Sequence, residues 1–258
     1  EDWVAKWVKN PQHFRYNTRM PAIFEQTNQD EPEISAYNDA EIAGITEYLF
    51  AEKDGKKTGS NSSRFLGDPI NGEKLFNAVG CMGCHISEKD PDDAPYVNNY
   101  KNLTKVQGPN LIGLGSKVSS EWLYEWLMDP QAYMPDTKMP NLRLEPQQAK
   151  DIAAYLMQDK SESFDNSPAH QYDRSVLNEL TVNWLKKSNP EQFAKAKAEK
   201  MNESQKLNFI GEKSIRHYGC FGCHHIDGFD DAKPIGVEIT EEGSKPVNKF
   251  DFGLFHDI

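Results

Sequence analysis

All four cysteines of the chain sit in two copies of one five-residue pattern, Cys81-Met82-Gly83-Cys84-His85 and Cys220-Phe221-Gly222-Cys223-His224. Two thiols one helical turn apart can add to the two vinyl groups along one haem edge, and the imidazole that follows is carried to the iron by the same turn. The pattern predicts two covalently attached c-type haems, held by Cys81 and Cys84 and by Cys220 and Cys223, with His85 and His224 as proximal ligands. Other uses of the thiols fit less well. A four-cysteine zinc site would have to bridge the 139 positions between Cys81 and Cys220, and zinc gives no reason for a histidine after each pair. A thioredoxin-like pair needs a βαβ context that neither flank supplies. C-x-x-C disulfides close loops too short to constrain the unfolded chain much.

The 258 residues suit one or two average domains. No apolar stretch approaches the roughly 18 residues of a membrane span. The formal charge of -11 is spread along the chain without a basic stripe, which argues against nucleic acid as a partner. A hydrophobic fraction of 37% is modest for this length, so a bulky non-protein group is expected to supply part of the core.

Internal comparison shows which elements must position the motifs. GEKLFNAVGCMGCH at 72–85 matches GEKSIRHYGCFGCH at 211–224 without a gap. WLYEWLMDPQAYMPDTKMP at 122–140 matches WVAKWVKNPQHFRYNTRMP at 3–21 in constant register, and EIAGITEYLF at 41–50 resembles AKDIAAYLM at 149–157. The chain thus carries two attachment halves and two distal halves, of which the middle pair is contiguous. Met139 and Met20 stand in the repeated T-x-M-P context, whereas most of the seven methionines are expected to be core filler.

Over residues 68–158 this order resembles class I (mitochondrial-type) cytochromes c, specifically the cytochrome c domains of multihaem proteins. The resemblance rests on Gly72 and Phe76, Cys81 to His85, Gly108-Pro109-Asn110-Leu111, the helix of Trp122 and Trp126, Met139-Pro140, and Tyr155-Leu156. It implies an all-α fold in which Gly72 lets two helices cross closely, with Phe76 and Tyr155 filling the crossing. It further implies that the Pro109 carbonyl fixes the tautomer of His85. Met139 follows as the sixth ligand, a soft thioether that favours ferrous iron. Trp122 and Trp126, at i and i+4, are expected to pack the core or the haem edge.

The expected organisation is therefore tandem class I cytochrome c domains, one complete and two partial, joined by a helical spacer. Residues 1–52 read as a distal, Met-ligand half, 53–67 as a polar linker, and 68–158 as the complete domain. Residues 159–208 read as the spacer, with helices from Asp173 to about Lys187 and after Pro190, and 209–258 as a further attachment half. The two ragged halves are read first as pieces of a longer chain, with a third haem upstream of Met20. The alternative is a permuted pairing, in which Met20 closes the haem on Cys220 and Cys223. His217, His225 and His256 are other sixth-ligand candidates for that haem, and Pro234 is the candidate loop proline.

Covalent haem attachment takes place outside the cytoplasm, so a periplasmic or otherwise extracytoplasmic site is expected. The implied function is electron transfer, as a periplasmic multihaem carrier or the cytochrome subunit of a respiratory or photosynthetic complex, without enzymatic activity. Expected partners are redox proteins, such as other cytochromes or a membrane oxidoreductase complex, met through small interfaces, with neighbouring chains as possible completions of the half-domains. The alternative is a dihaem peroxidase-like enzyme with an open iron at the Cys220/Cys223 haem.

Overall fold

The computed structural model describes residues 1–15, 18, 20–24, 26, 32–51, 66–87 and 108–232, and these contain helices but no strand. The longer helices, in chain order, are α1 (Asp2–Lys9), α2 (Asn38–Phe50), α3 (Pro69–Val79), α4 (Ser120–Met128), α5 (Pro146–Leu156), α6 (Arg174–Lys186), α7 (Glu191–Glu199) and α8 (Glu203–Tyr218). Most of the linker expected at 53–67, together with Pro234 and His256, lies outside the described residues.

Local chemistry sets the ends of the helix that leads into the first motif. Asp68 accepts the Ile70 N–H at 2.9 Å, and Pro69 begins α3 with the backbone angle a first turn needs. At the other end Gly80 takes a left-handed φ of 91°, which stops the helix and turns the chain into a 3-10 turn over Cys81–Gly83. Phe76 and Gly72 are the buried residues of α3, so one narrow face packs inward.

That face lies on α5. A Cβ at position 72 would stand 2.0 Å from the Asp151 carbonyl oxygen, so only glycine allows the two backbones to approach this closely. Phe76 meets Tyr155 across the crossing with ring centroids 5.6 Å apart, in the arrangement the resemblance implied. Phe76, Leu123, Leu127, Leu144, Ile152 and Leu156 form the core of this unit, with Cys81, Leu111, Trp122 and Met139 packed against it.

The spacer helices fall where the apolar spacing placed them, but the boundary expected at 208 lies inside α8. Asn202 and Gln205 exchange hydrogen bonds, each 2.9 Å, and this reciprocal cap starts the helix at Glu203, well before the second motif. The two outer halves, expected first as pieces of separate domains and alternatively as a permuted pair, are in contact. α8 packs on α2, and α6 braces both through Leu177 and Leu180 against Ala40, Ala43, Leu207 and Ile210. The two haem-motif units also touch. Arg15 donates to the Ile112 carbonyl at 3.2 Å, and just beyond the first unit the Phe14 ring packs 4.9 Å from that of Phe164.

Asp151, buried at the crossing, accepts the Asp68 N–H at 2.9 Å, Asn71 Nδ2 at 2.7 Å and Gln147 Nε2 at 2.8 Å. Burial by itself raises the carboxyl, but these three hydrogen bonds outweigh it and hold the group below its ordinary value. Because the folded-state value is depressed, the stabilisation is present above the unfolded carboxylate value near ~3.9 and is lost as pH falls through the folded value. Asp151→Asn is expected to cost about 2 kcal/mol at pH 7, with the gap to wild type closing in acid. Urea unfolding at a series of pH values measures this; a gap that does not change with pH contradicts it.

Candidate haem-binding site

The five residues of the first motif are shaped by their own backbone. The Cys84 and His85 N–H groups both donate to the Cys81 carbonyl, at 3.1 and 3.0 Å, which folds the two thiols and the imidazole into a single turn. No disulfide joins the four cysteines, of which Cys84 and Cys223 are exposed and Cys81 and Cys220 half-buried. Desolvation pushes the Cys81 and Cys220 thiols up from the ordinary value, so both keep their protons at neutral pH.

The loop after the motif returns beneath the imidazole. Gly108 N–H donates to the Cys84 carbonyl at 3.0 Å, and Leu111 N–H to the Ile86 carbonyl at 2.7 Å. These bonds bring the Pro109 carbonyl 2.8 Å from His85 Nδ1, which makes Nδ1 the protonated nitrogen and leaves Nε2 with the lone pair a metal needs. A Cβ at Gly108 would lie 2.5 Å from His85 Cε1, so a side chain here would push the ring out of place.

On the distal side α4 begins where Ser119 accepts the Trp122 N–H at 3.2 Å. Trp122 and Trp126 stack at 5.5 Å, and Tyr133 closes on both edge-on. Trp126 Nε1–H donates to Met139 Sδ at 2.9 Å, while Thr137 Oγ1 accepts the Met139 N–H at 3.3 Å. The sulfur is therefore aimed by two residues. The tryptophan role goes beyond the packing of core or haem edge expected from sequence, although a signal was present: a Trp stands 13 residues before the Met in both copies, Trp126 to Met139 and Trp7 to Met20.

Among the described residues no three His, Cys, Asp or Glu side chains converge on a point, so the two cysteine pairs do not share a tetrahedral zinc site. The donor set suits a covalently held haem. Cys81 and Cys84 would hold it, each S–H adding across one vinyl C=C so that an S–C bond forms, the π bond breaks and the thiol hydrogen completes a methyl group. His85 Nε2 and Met139 Sδ are the strong- and soft-field donors it would take. When bound, such a haem supplies a one-electron ferric/ferrous couple.

The second motif repeats the local fold. Cys223 and His224 N–H groups donate to the Cys220 carbonyl at 3.2 and 3.0 Å. Of the histidines near it, His217 packs edge-on to Trp184 at 6.0 Å, and His225 is exposed with Nε2 3.5 Å from Asp230.

A helical unit built on a C-x-x-C-H turn, a proline-carbonyl-oriented imidazole and a distal methionine defines the class of covalent-haem proteins. The cytochrome c family model matches residues 70–160. The cytochrome c of Ginkgo biloba is 31% identical over 118 residues, covering 37% of this chain and 92% of that protein. That of Chlamydomonas reinhardtii is 34% identical over 113 residues, covering 36% and 89%, and that of Gossypium barbadense 31% over 114 residues, covering 36% and 90%. No solved structure matches. The chain belongs to the cytochrome c family, and haem c is the cofactor this membership implies.

A hydrogen bond to a thioether sulfur withdraws electron density and favours ferrous iron. Trp126→Phe is expected to leave haem attachment intact and to lower the potential by about 40 mV, one hydrogen bond's ~1 kcal/mol taken over one electron. Protein-film voltammetry reads the shift; an unchanged or raised potential contradicts it.

Proposed function

We propose that residues 68–158 hold one haem c through Cys81 and Cys84 with His85 and Met139 as axial ligands, and that the chain transfers single electrons between redox proteins outside the cytoplasm. The observation that carries this reading is the 2.8 Å contact of His85 Nδ1 with the Pro109 carbonyl, which leaves the other ring nitrogen with the lone pair a metal needs. The chain's own groups do four things. Cys81 and Cys84 fix the haem edge, Pro109 orients His85, Trp126 and Thr137 aim Met139, and the core of α3, α4 and α5 excludes water from one face. With His85 and Met139 both holding the haem iron, no ligand position would remain for a substrate, and the role of the chain would be to pass electrons.

With two attachment motifs the chain is a multihaem protein, working as a periplasmic carrier or as the cytochrome subunit of a respiratory or photosynthetic complex. No described helix is long and apolar enough to cross a membrane. A formal charge of -11 favours partners whose docking faces are basic, and encounter with them should slow as salt rises.

Met139→Ala is the direct test. The haem should remain covalently bound, lose the thioether-to-ferric-iron absorption band and drop in potential well beyond the Trp126→Phe shift. Retention of that band and potential at the Cys81/Cys84 haem would show that another residue is the ligand and overturn the reading.

A further inference from the structure

We infer that the described residues of the stretch 1–51 and residues 203–232 close on each other as a second haem-binding unit of the same build in permuted chain order, with Met20 as sixth ligand of the haem carried by Cys220, Cys223 and His224. The inference rests on the covalent-haem reading of the first unit but uses different residues and a different part of the chain.

The distal half is assembled in duplicate. Trp3 and Trp7 stack at 5.3 Å and 12°, against 5.5 Å and 15° for Trp122 and Trp126. Phe14 closes on them edge-on at 5.1 and 6.1 Å, as Tyr133 does at 5.5 and 6.1 Å. Trp7 Nε1–H donates to Met20 Sδ at 2.8 Å, and Thr18 Oγ1 accepts the Met20 N–H at 3.2 Å. The methionine is thus aimed by the same two devices that aim Met139.

The join between the halves is duplicated as well. In the first unit Gly72 of the attachment helix sits on the Asp151 carbonyl and Tyr155 Cβ of the closing helix. In the second, a Cβ on Gly211 would stand 2.1 Å from the Gly44 carbonyl oxygen and 2.7 Å from Tyr48 Cβ. Gly211 matches Gly72, and Gly44 and Tyr48 keep the four-residue spacing of Asp151 and Tyr155. Helices can meet in many ways, and a return of the same glycine on the same turn of the partner is what a cytochrome closure requires.

One core then serves both halves. Ala5, Val8, Phe24, Ile42, Ile45 and Tyr48 from the distal side are buried with Ile215 and Phe229 from the attachment side. Trp7 and Cys220 both pack against this cluster. The Tyr48 hydroxyl donates to the Asp227 carbonyl at 3.0 Å, tying the closing helix to the loop after His224. Cutting the first unit's order between its proline loop and tryptophan helix, and running closing helix before attachment helix, yields this arrangement. The chain between them holds the first unit and α6 and α7.

The test uses the holo-chain carrying both haems. Wild type should show two thioether-ligated, low-spin haems. Met20→Ala should remove one of the two thioether-to-iron bands and lower one reduction wave, leaving the Met139-dependent wave in place. Met20→His should lower the same wave with the iron still low-spin, which separates ligation from loss of folding. In Cys220→Ala/Cys223→Ala, one haem and its wave are lost, and adding Met20→Ala should change nothing further. Sedimentation of wild type at low concentration should find the thioether band intact in a monomer. The inference is overturned if the Cys220/Cys223 haem is high-spin or binds peroxide in wild type, or if Met20→Ala leaves both waves unmoved. It is equally overturned if the Met20 effect survives loss of that haem or if the band requires a dimer. In each of those cases the Met139 wave still reports separately on the first site.

Discussion

In the proposed haem site His85 and Met139 come from segments 54 residues apart in the chain, and the tie between their halves is the crossing of α3 over α5. At that crossing a Cβ would overlap the Asp151 carbonyl, so the two axes lie as close as backbones permit and leave little freedom to slide. Everything nearer the proposed haem site inherits this placement. α3 ends at Gly80 and delivers the motif turn, and α5 anchors the segment that follows Met139. Asp151 adds a polar lock, since its carboxylate takes up the N–H groups at the start of α3.

The same constraint explains why the outer elements of the chain meet each other. α8 carries the second attachment motif and presents Gly211 on the turn where α3 presents Gly72, and α2 offers it Gly44 and Tyr48. The contact between the units lies beside chemistry on both sides. Arg15, five residues before Met20, donates to the Ile112 carbonyl, three residues after the proline that orients His85. Burial lowers Arg15 from its ordinary value, and burial together with the Arg15 charge lowers Lys117, which sits over the Trp3 ring at 5.3 Å. Among the described residues, an aromatic face and a carbonyl meet these two cations.

Much of the site was legible because its chemistry is written in short, dense patterns. Cys81, Cys84 and His85 fall within five consecutive positions governed by one turn, and Pro109 and Met139 lie in loops whose local words, Gly-Pro-Asn-Leu and T-x-M-P, stand out beside the repeat. The helical spacing of Val176, Leu177, Leu180 and Trp184 marked α6 to within a residue. What stayed hidden depends on contacts between distant segments. Periodicity says that α2 has an apolar face but not that α8 covers it across more than 150 residues. Trp126 reads as a core aromatic until its indole N–H is seen against sulfur. The boundary expected at 208 falls inside α8 because the Asn202–Gln205 cap starts that helix before the repeated stretch at 211–224.

The most direct measurement of the central claim is the intact mass of the purified, coloured chain after acid–acetone extraction. Haem joined by thioether bonds resists that extraction, so the account predicts a polypeptide heavier by two haems and no thiol left for alkylation. Colour passing into the acetone, or four cysteines that still react, would contradict it.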